Sequence, residues 1–273
     1  ATLLKGLEAS FVMVAAAVTA DTLPEYRSEV DAYRKAREMA KDPAVWRIVS
    51  DACVTSPDIN AVSTAAGSLP ASLAGPDQEA AKKVIEALVS AWPRFAAKDL
   101  DSHRRSLQTI LVKTLRQGFS QQVEERVMTA VYEKMQFKPL DAPVTIYPVL
   151  AAREAGVWGR TPQGYYLVIP AGRIPSLIVI ENVVHELTHL LDANQPPDHR
   201  DFLVQLREKA AGVDPVTLDA FMHGLVTWSA GDMIKRFVNP LHKSYADLSP
   251  ERRAKIEKFL PVYEASWVGY VEG

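Results

Sequence analysis

An apolar run that begins near Ser176 constrains the fold of this chain more than any other feature of its sequence. It continues through aliphatic residues to His185, Glu186 and His189, and it stops before two prolines at 196 and 197, which cannot continue a helix. A helix that is apolar on most of its surface is normally buried in a protein core. The sequence therefore predicts a buried helix that carries three chemically active side chains.

The spacing of these side chains suits zinc-assisted hydrolysis. Residues four apart lie on one face of a helix, so the imidazoles of His185 and His189 can reach one Zn²⁺. Glu186 lies about 100° round the helix from His185, so it can miss the metal and hold a water molecule instead. Zinc lowers the pKa of such a water toward about 7, and the carboxylate takes its proton as the water attacks a carbonyl. The pattern predicts two metal ligands and a general base.

The segment Asn182–Leu191 resembles the extended signature of the zincin superfamily of zinc metallopeptidases. The resemblance covers residues 143–237 and implies a Zn²⁺ cofactor, a peptide or protein substrate, and a preceding edge strand that binds extended substrate backbone. The metzincin branch would need Gly at 192 and His at 195, where this chain has Asp192 and Gln195. The gluzincin branch is closer, because it takes its third ligand from a later helix, although residues 215–237 lack its usual Glu.

The third metal ligand has several candidates. His223 and Asp232 lie nine positions apart on the later helix, about 900° of rotation, so only one of them can point at the metal. Asp219 precedes His223 by four residues and can accept its second N–H. We favour His223, while Asp232 and Glu208 stay open. Asp192 lies on the same helix as His185 and His189, but one turn too far along to bind the same ion. It either orients a ligand imidazole or is a polar residue at the helix end.

The remaining pattern predicts a mostly helical α+β chain. Helical patterns in the N-terminal half cover 24–40, 44–51, 77–92, 99–115 and 120–135. A segment rich in Ser, Pro, Gly and Ala, residues 54–76, predicts a loop. Three short β-branched or aromatic runs predict a small sheet directly before the motif helix, at 144–149, 156–159 and 165–169. Tyr165–Pro170 is the candidate edge strand for substrate. Further helices are predicted at 201–211, 215–237 and 250–267.

Length and charge limit the function. The 273 residues divide into a predicted helical region, 21–137, and a zincin-like metallohydrolase domain, 138–273. The formal charge of −2, from 31 basic and 33 acidic residues, gives no field that would attract nucleic acid, so we expect no nucleic-acid partner. Cys53 is the one cysteine, which excludes an internal disulfide and Cys-rich zinc sites. No segment has the roughly 20 apolar residues of an integral membrane helix.

The first twenty residues have two interpretations. Lys5 precedes an apolar stretch at 11–18, and small residues then lead to Asp21, which is the pattern of a signal peptide and its cleavage site. This interpretation predicts export to the periplasm or the outside. Glu8 fits a signal peptide poorly, and the alternative is an ordinary N-terminal helix in a cytoplasmic protein.

Three functions are compatible with the sequence. The first is a zinc-dependent peptidase with Glu186 as general base. The second is a catalytically inactive zincin-fold module for binding or regulation, in which Glu186 would have no purpose. The third is a metal-free helical interaction protein, which would leave His185 and His189 unexplained. The sequence favours the peptidase, and it indicates neither the substrate nor the oligomeric state.

Overall fold

The chain is mostly helical, with one small mixed sheet, which confirms the predicted α+β class. A computed structural model describes residues 26–42, 44–56, 59–66, 75–98, 105, 121–149, 157–170, 176–244 and positions 253, 254, 257, 259 and 261. The predicted signal segment lies outside these residues. So do the helices predicted at 99–115 and 250–267, except for a few single positions.

Eight α-helices are described: α1 Arg27–Met39, α2 Ala44–Thr55, α3 Ile59–Ala66, α4 Gly75–Lys98, α5 Gln121–Thr129, α6 Ser176–Ala193, α7 Phe202–Lys209 and α8 Pro215–Phe237. Helix α5 continues as a π-helical turn, Ala130–Lys134, which the sequence pattern did not predict. Among the described residues, no helix combines the length and the apolar character needed to cross a membrane.

The chain divides into two compact units. One comprises residues 1–112 and 142–174, and the other comprises 113–141 and 175–273. Helices α1 to α4 and the strands therefore fall in the first unit, and α5 to α8 fall in the second. This division separates the strands from the motif helix, whereas the sequence analysis placed both in one domain. The domain boundaries proposed from the sequence stay a prediction.

The first unit is built around α4, against which α1, α2 and α3 pack. Asp77, near the start of α4, is buried, and its Oδ1 accepts the backbone N–H groups of Lys41 at 2.6 Å and Asp42 at 3.2 Å. The Asp77 carboxylate thus fixes the end of the α1–α2 connection to the central helix. The buried apolar core of this unit is formed by Tyr26, Ala36, Val45, Val49, Cys53, Val62, Ala81, Val84, Ile85, Leu88, Ala91 and Phe95.

The loop predicted over 54–76 is wrong for residues 59–66, which form α3. Val62 is only 1 % exposed, and Ile59 packs against the same core. A helix of eight residues is unstable by itself in water, so packing against α4 decides its conformation. Composition alone could not reveal this contact.

The sheet has the strand order β1-β3-β2, with β1 Val144–Val149, β2 Val157–Thr161 and β3 Gly164–Pro170. Strands β2 and β3 form an antiparallel hairpin, and β1 is parallel to β3. Gly164 has φ +137°, and a Cβ there would lie 2.5 Å from the carbonyl oxygen of Pro143. The turn therefore needs glycine.

The prediction of Tyr165–Pro170 as a free edge strand is wrong. Strand β3 pairs with a neighbour on each side, so its backbone cannot accept a substrate strand. All residues from Tyr165 to Ile169 are buried. Residues 165–169 form a continuous apolar run, which is typical of a central strand covered on both faces. This feature of the sequence indicates the central position that β3 occupies.

In the second unit, side-chain caps stabilise the first turns of α7 and α8, the two helices that follow α6. Asp201 precedes α7, and its Oδ1 accepts the N–H of Val204 at 2.9 Å. Asp214 precedes α8 and accepts from two backbone N–H groups, with Pro215 as the first helical residue. Helix α6 begins at the predicted Ser176 and packs against α8.

Candidate metal centre

Helix α6 brings two histidines together. His185 and His189 are one turn apart, and their ring centroids are separated by 4.7 Å at an interplanar angle of 80°. His185 is 8 % exposed, and its neighbours Val184 and Leu187 are buried. The apolar residues between the polar ones thus fix the helix in the core, while both imidazoles share one side.

Helix α8 supplies the third imidazole. The ring of His223 lies 5.0 Å from that of His185 and 5.3 Å from that of His189, measured between centroids. One ligand atom from each of the three histidines lies within 4.8 Å of the other two. The three side chains are therefore close enough to hold a metal ion.

The approach of His223 to His189 follows from the register of the two helices. Glu181 Oε1 lies 3.2 Å from the place where a Cβ on Gly231 would stand, so these residues face each other across the helix pair. His189 follows Glu181 by eight residues, and His223 precedes Gly231 by eight. Helices α6 and α8 therefore run antiparallel, and two contacts about 12 Å apart along the axes define their register.

Glu186 lies next to His185 on α6 and is buried. Its side chain is 6 % exposed, and Oε1 lies 3.9 Å from Nε2 of His185. This separation is longer than a hydrogen bond, so the carboxylate stands beside the imidazole nitrogen without binding it. A water molecule next to that nitrogen is within reach of Glu186.

The electrostatics of His189 favour the form that binds metals. Burial, the charge of His223 and the charge of Arg207, in that order, lower its pKa from 6.5 to about 4. The imidazole is therefore neutral near pH 7, as a metal ligand must be. Its Nε2 is buried and, among the described residues, has no hydrogen-bond partner. Buried polar atoms rarely lack a partner, and a bound cation would satisfy this one.

The other candidate ligands are engaged elsewhere. Asp232 pairs with Arg236 one turn later on α8, with 2.5 Å between Oδ2 and Nε. Glu208 pairs with Arg200. Asp192 binds the guanidinium of Arg207 instead of a ligand imidazole.

A second polar cluster in this unit was missed by the sequence reasoning. Nε2 of His242 lies 2.7 Å from Oε2 of Glu181, and both side chains are almost fully buried. Glu181 is one turn before His185 on α6, and Ser244 packs against Gly231 on α8. The segment after α8 thus folds back and links the two helices that carry the histidines. The sequence did contain one indication of this cluster, because Glu181 is an acidic residue inside the apolar run of α6.

Comparisons with family models, curated proteins and solved structures found no match to this chain. Its function is therefore inferred from the residues themselves.

Proposed function

We propose that this chain is a zinc-dependent peptidase whose metal is held by His185, His189 and His223. The convergence of three imidazole ligand atoms beside the carboxylate of Glu186 is the observation that carries the proposal. Three imidazole ligands suit zinc, and they leave a coordination position for substrate or water, as in catalytic sites. The choice of a peptide as substrate rests on the likeness of the motif to zincins.

In the proposed reaction each residue has a separate task. A zinc ion, when bound, supplies the Lewis acidity that makes a water acidic near neutral pH. Glu186 accepts a proton from a water molecule next to His185 and later gives that proton to the leaving amine. The neutral state of His189 keeps its nitrogen available without prior loss of a proton. His223 is the most exposed of the three histidines and marks the side from which substrate reaches the site.

Replacement of Glu186 by Gln tests the proposal. Glutamine keeps the size of the side chain but cannot take a proton. We expect zinc content to stay at one per chain and turnover of a fluorogenic peptide library to fall by about 10²-fold or more. Both quantities are measured on zinc-loaded protein.

The matched control is Glu208→Gln, which removes a carboxylate outside the histidine group. It should change neither zinc content nor turnover. Wild-type turnover in Glu186→Gln would show that Glu186 is not the base. Stoichiometric zinc without turnover of any peptide by the wild type would favour the inactive binding module over the enzyme.

A further inference from the structure

An ion pair lies close to the histidines, where α6 meets α7. Asp192 follows His189 by three residues, about 300° of helix rotation, so the two side chains leave nearly the same side of α6. Both terminal nitrogens of Arg207 donate to the carboxylate of Asp192, with 2.9 Å between Nη1 and Oδ1. The guanidinium is therefore held in one orientation next to the candidate metal centre.

Exposure increases from the carboxylates to the guanidinium. Asp201 is fully buried, the side chain of Asp192 is 12 % exposed, and that of Arg207 is 41 % exposed. Arg207 is therefore the most exposed of these three charged side chains. Among the described residues, Asp192 is the hydrogen-bond partner of Arg207. Within the described part of the chain, its Nε–H and the outer hydrogens of its terminal nitrogens have no acceptor.

The positive charge of Arg207 also reaches the histidine group. It is one of the causes, after burial and His223, that lower the pKa of His189. Asp192, which binds Arg207, lies three residues after His189 on the same helix, so an anionic group bound by Arg207 would lie near the atoms that hold the metal in the proposed function. A planar guanidinium fixed by one carboxylate is well suited to bind a second one, because its geometry matches two parallel hydrogen bonds.

We propose that Arg207 binds a carboxylate of the substrate beside the histidine site, and this inference rests on the proposed function. The carboxylate belongs either to the C-terminus of a peptide or to an Asp or Glu side chain. In both cases Asp192 orients the guanidinium. The site would then prefer peptides with a negative charge next to the scissile bond.

Binding of peptide hydroxamates to zinc-loaded protein tests this inference without catalysis. Three forms of one short peptide are compared by calorimetry: a neutral form with a C-terminal amide, a form with a free C-terminal carboxylate, and an amidated form with Glu in place of Gln. The hydroxamate binds zinc in all three. We expect one charged form to bind about 10-fold or more tightly than the neutral form. The form that shows this preference identifies the source of the carboxylate.

In Arg207→Gln the preference should disappear while affinity for the neutral form is retained. Arg200→Gln is the matched control, because Arg200 forms a similar pair with Glu208 outside the histidine group, and it should keep the wild-type preference. If Arg207→Gln fails to fold, Arg207→Lys takes its place. Lysine keeps the charge but loses the two-pronged geometry, so its preference should be several-fold weaker.

The outcomes separate the two proposals. Equal binding of charged and neutral forms by the wild type, or wild-type preference in the folded Arg207 variant, overturns the role of Arg207 alone. No binding of any hydroxamate to wild-type protein overturns the zinc site and, with it, the inference that depends on it.

Discussion

Removal of His223 is the most direct test of the metal site at the scale of single residues, because this histidine is exposed and comes from a different helix. If the proposed site is right, His223→Ala reduces its protein ligands from three to two. We expect zinc affinity to fall by more than the 10- to 100-fold that is typical when an outer hydrogen bond to a ligand is lost. Zinc titration with a competing chelator measures the change.

Asp232→Asn is the control for His223→Ala. It breaks the pair with Arg236 one turn away on the same helix, which should lower the free energy of unfolding by only about 0.5 kcal/mol. Its zinc affinity should equal that of the wild type. Lost affinity in Asp232→Asn, with normal affinity in His223→Ala, would make the aspartate the third ligand.

The lowered pKa of His189 predicts how the stability of the metal-free protein depends on pH. Its pKa is about 4 in the folded chain and 6.5 in the unfolded chain, so the unfolded state takes up the proton first as the pH falls. Stability should therefore be constant above about pH 6.5 and decrease down to pH 4, by up to about 3 kcal/mol. In His189→Gln this part of the pH dependence should vanish. Urea unfolding at several pH values, with chelator present, measures it, and an unchanged slope in the variant would contradict the assignment.

At the scale of elements, Gly231 on α8 lets the segment that follows this helix approach it closely. A Cβ there would lie 2.6 Å from Cβ of Ser244, which is closer than packed atoms tolerate. Gly231→Ala should therefore displace the segment after α8 and lower the free energy of unfolding by about 1–3 kcal/mol. Equilibrium unfolding in urea measures the loss.

The double variant Gly231→Ala with Ser244→Gly tests the cause. It removes the opposing Cβ, so it should recover much of the stability that the single alanine variant loses. Additive effects of the two substitutions would mean that the strain lies elsewhere, for example against Glu181 Oε1 at 3.2 Å.

At the scale of the whole molecule, zinc should act on one unit. All three histidines belong to the unit formed by residues 113–141 and 175–273. At a free zinc concentration 100 times Kd, binding stabilises the folded state by about 2.7 kcal/mol. Hydrogen exchange should slow in α6 and α8, and much less in α1 and α4. The variant His185→Ala with His189→Ala should show no change with zinc, and protection of all helices alike would contradict a site confined to this unit.

The sequence by itself determined the elements whose signals are local. Apolar continuity and the prolines at 196 and 197 predicted α6, and the helix predicted at 215–237 is α8. The spacing of His185, Glu186 and His189 on one helix follows directly from helix geometry. These features depend on neighbours within a few residues, so no knowledge of the tertiary contacts was needed.

Only the tertiary structure decided which distant residues meet. Helix rotation showed that His223 and Asp232 face opposite ways, but the packing of α8 against α6 brings His223 to the site. The same dependence on distant contacts explains α3, which exists because α4 covers it, and β3, whose two partners exclude it from an edge. Glu181 and His242 meet across 61 residues of sequence. Such contacts are set by the register in which helices and strands pack, and a linear pattern does not contain that register.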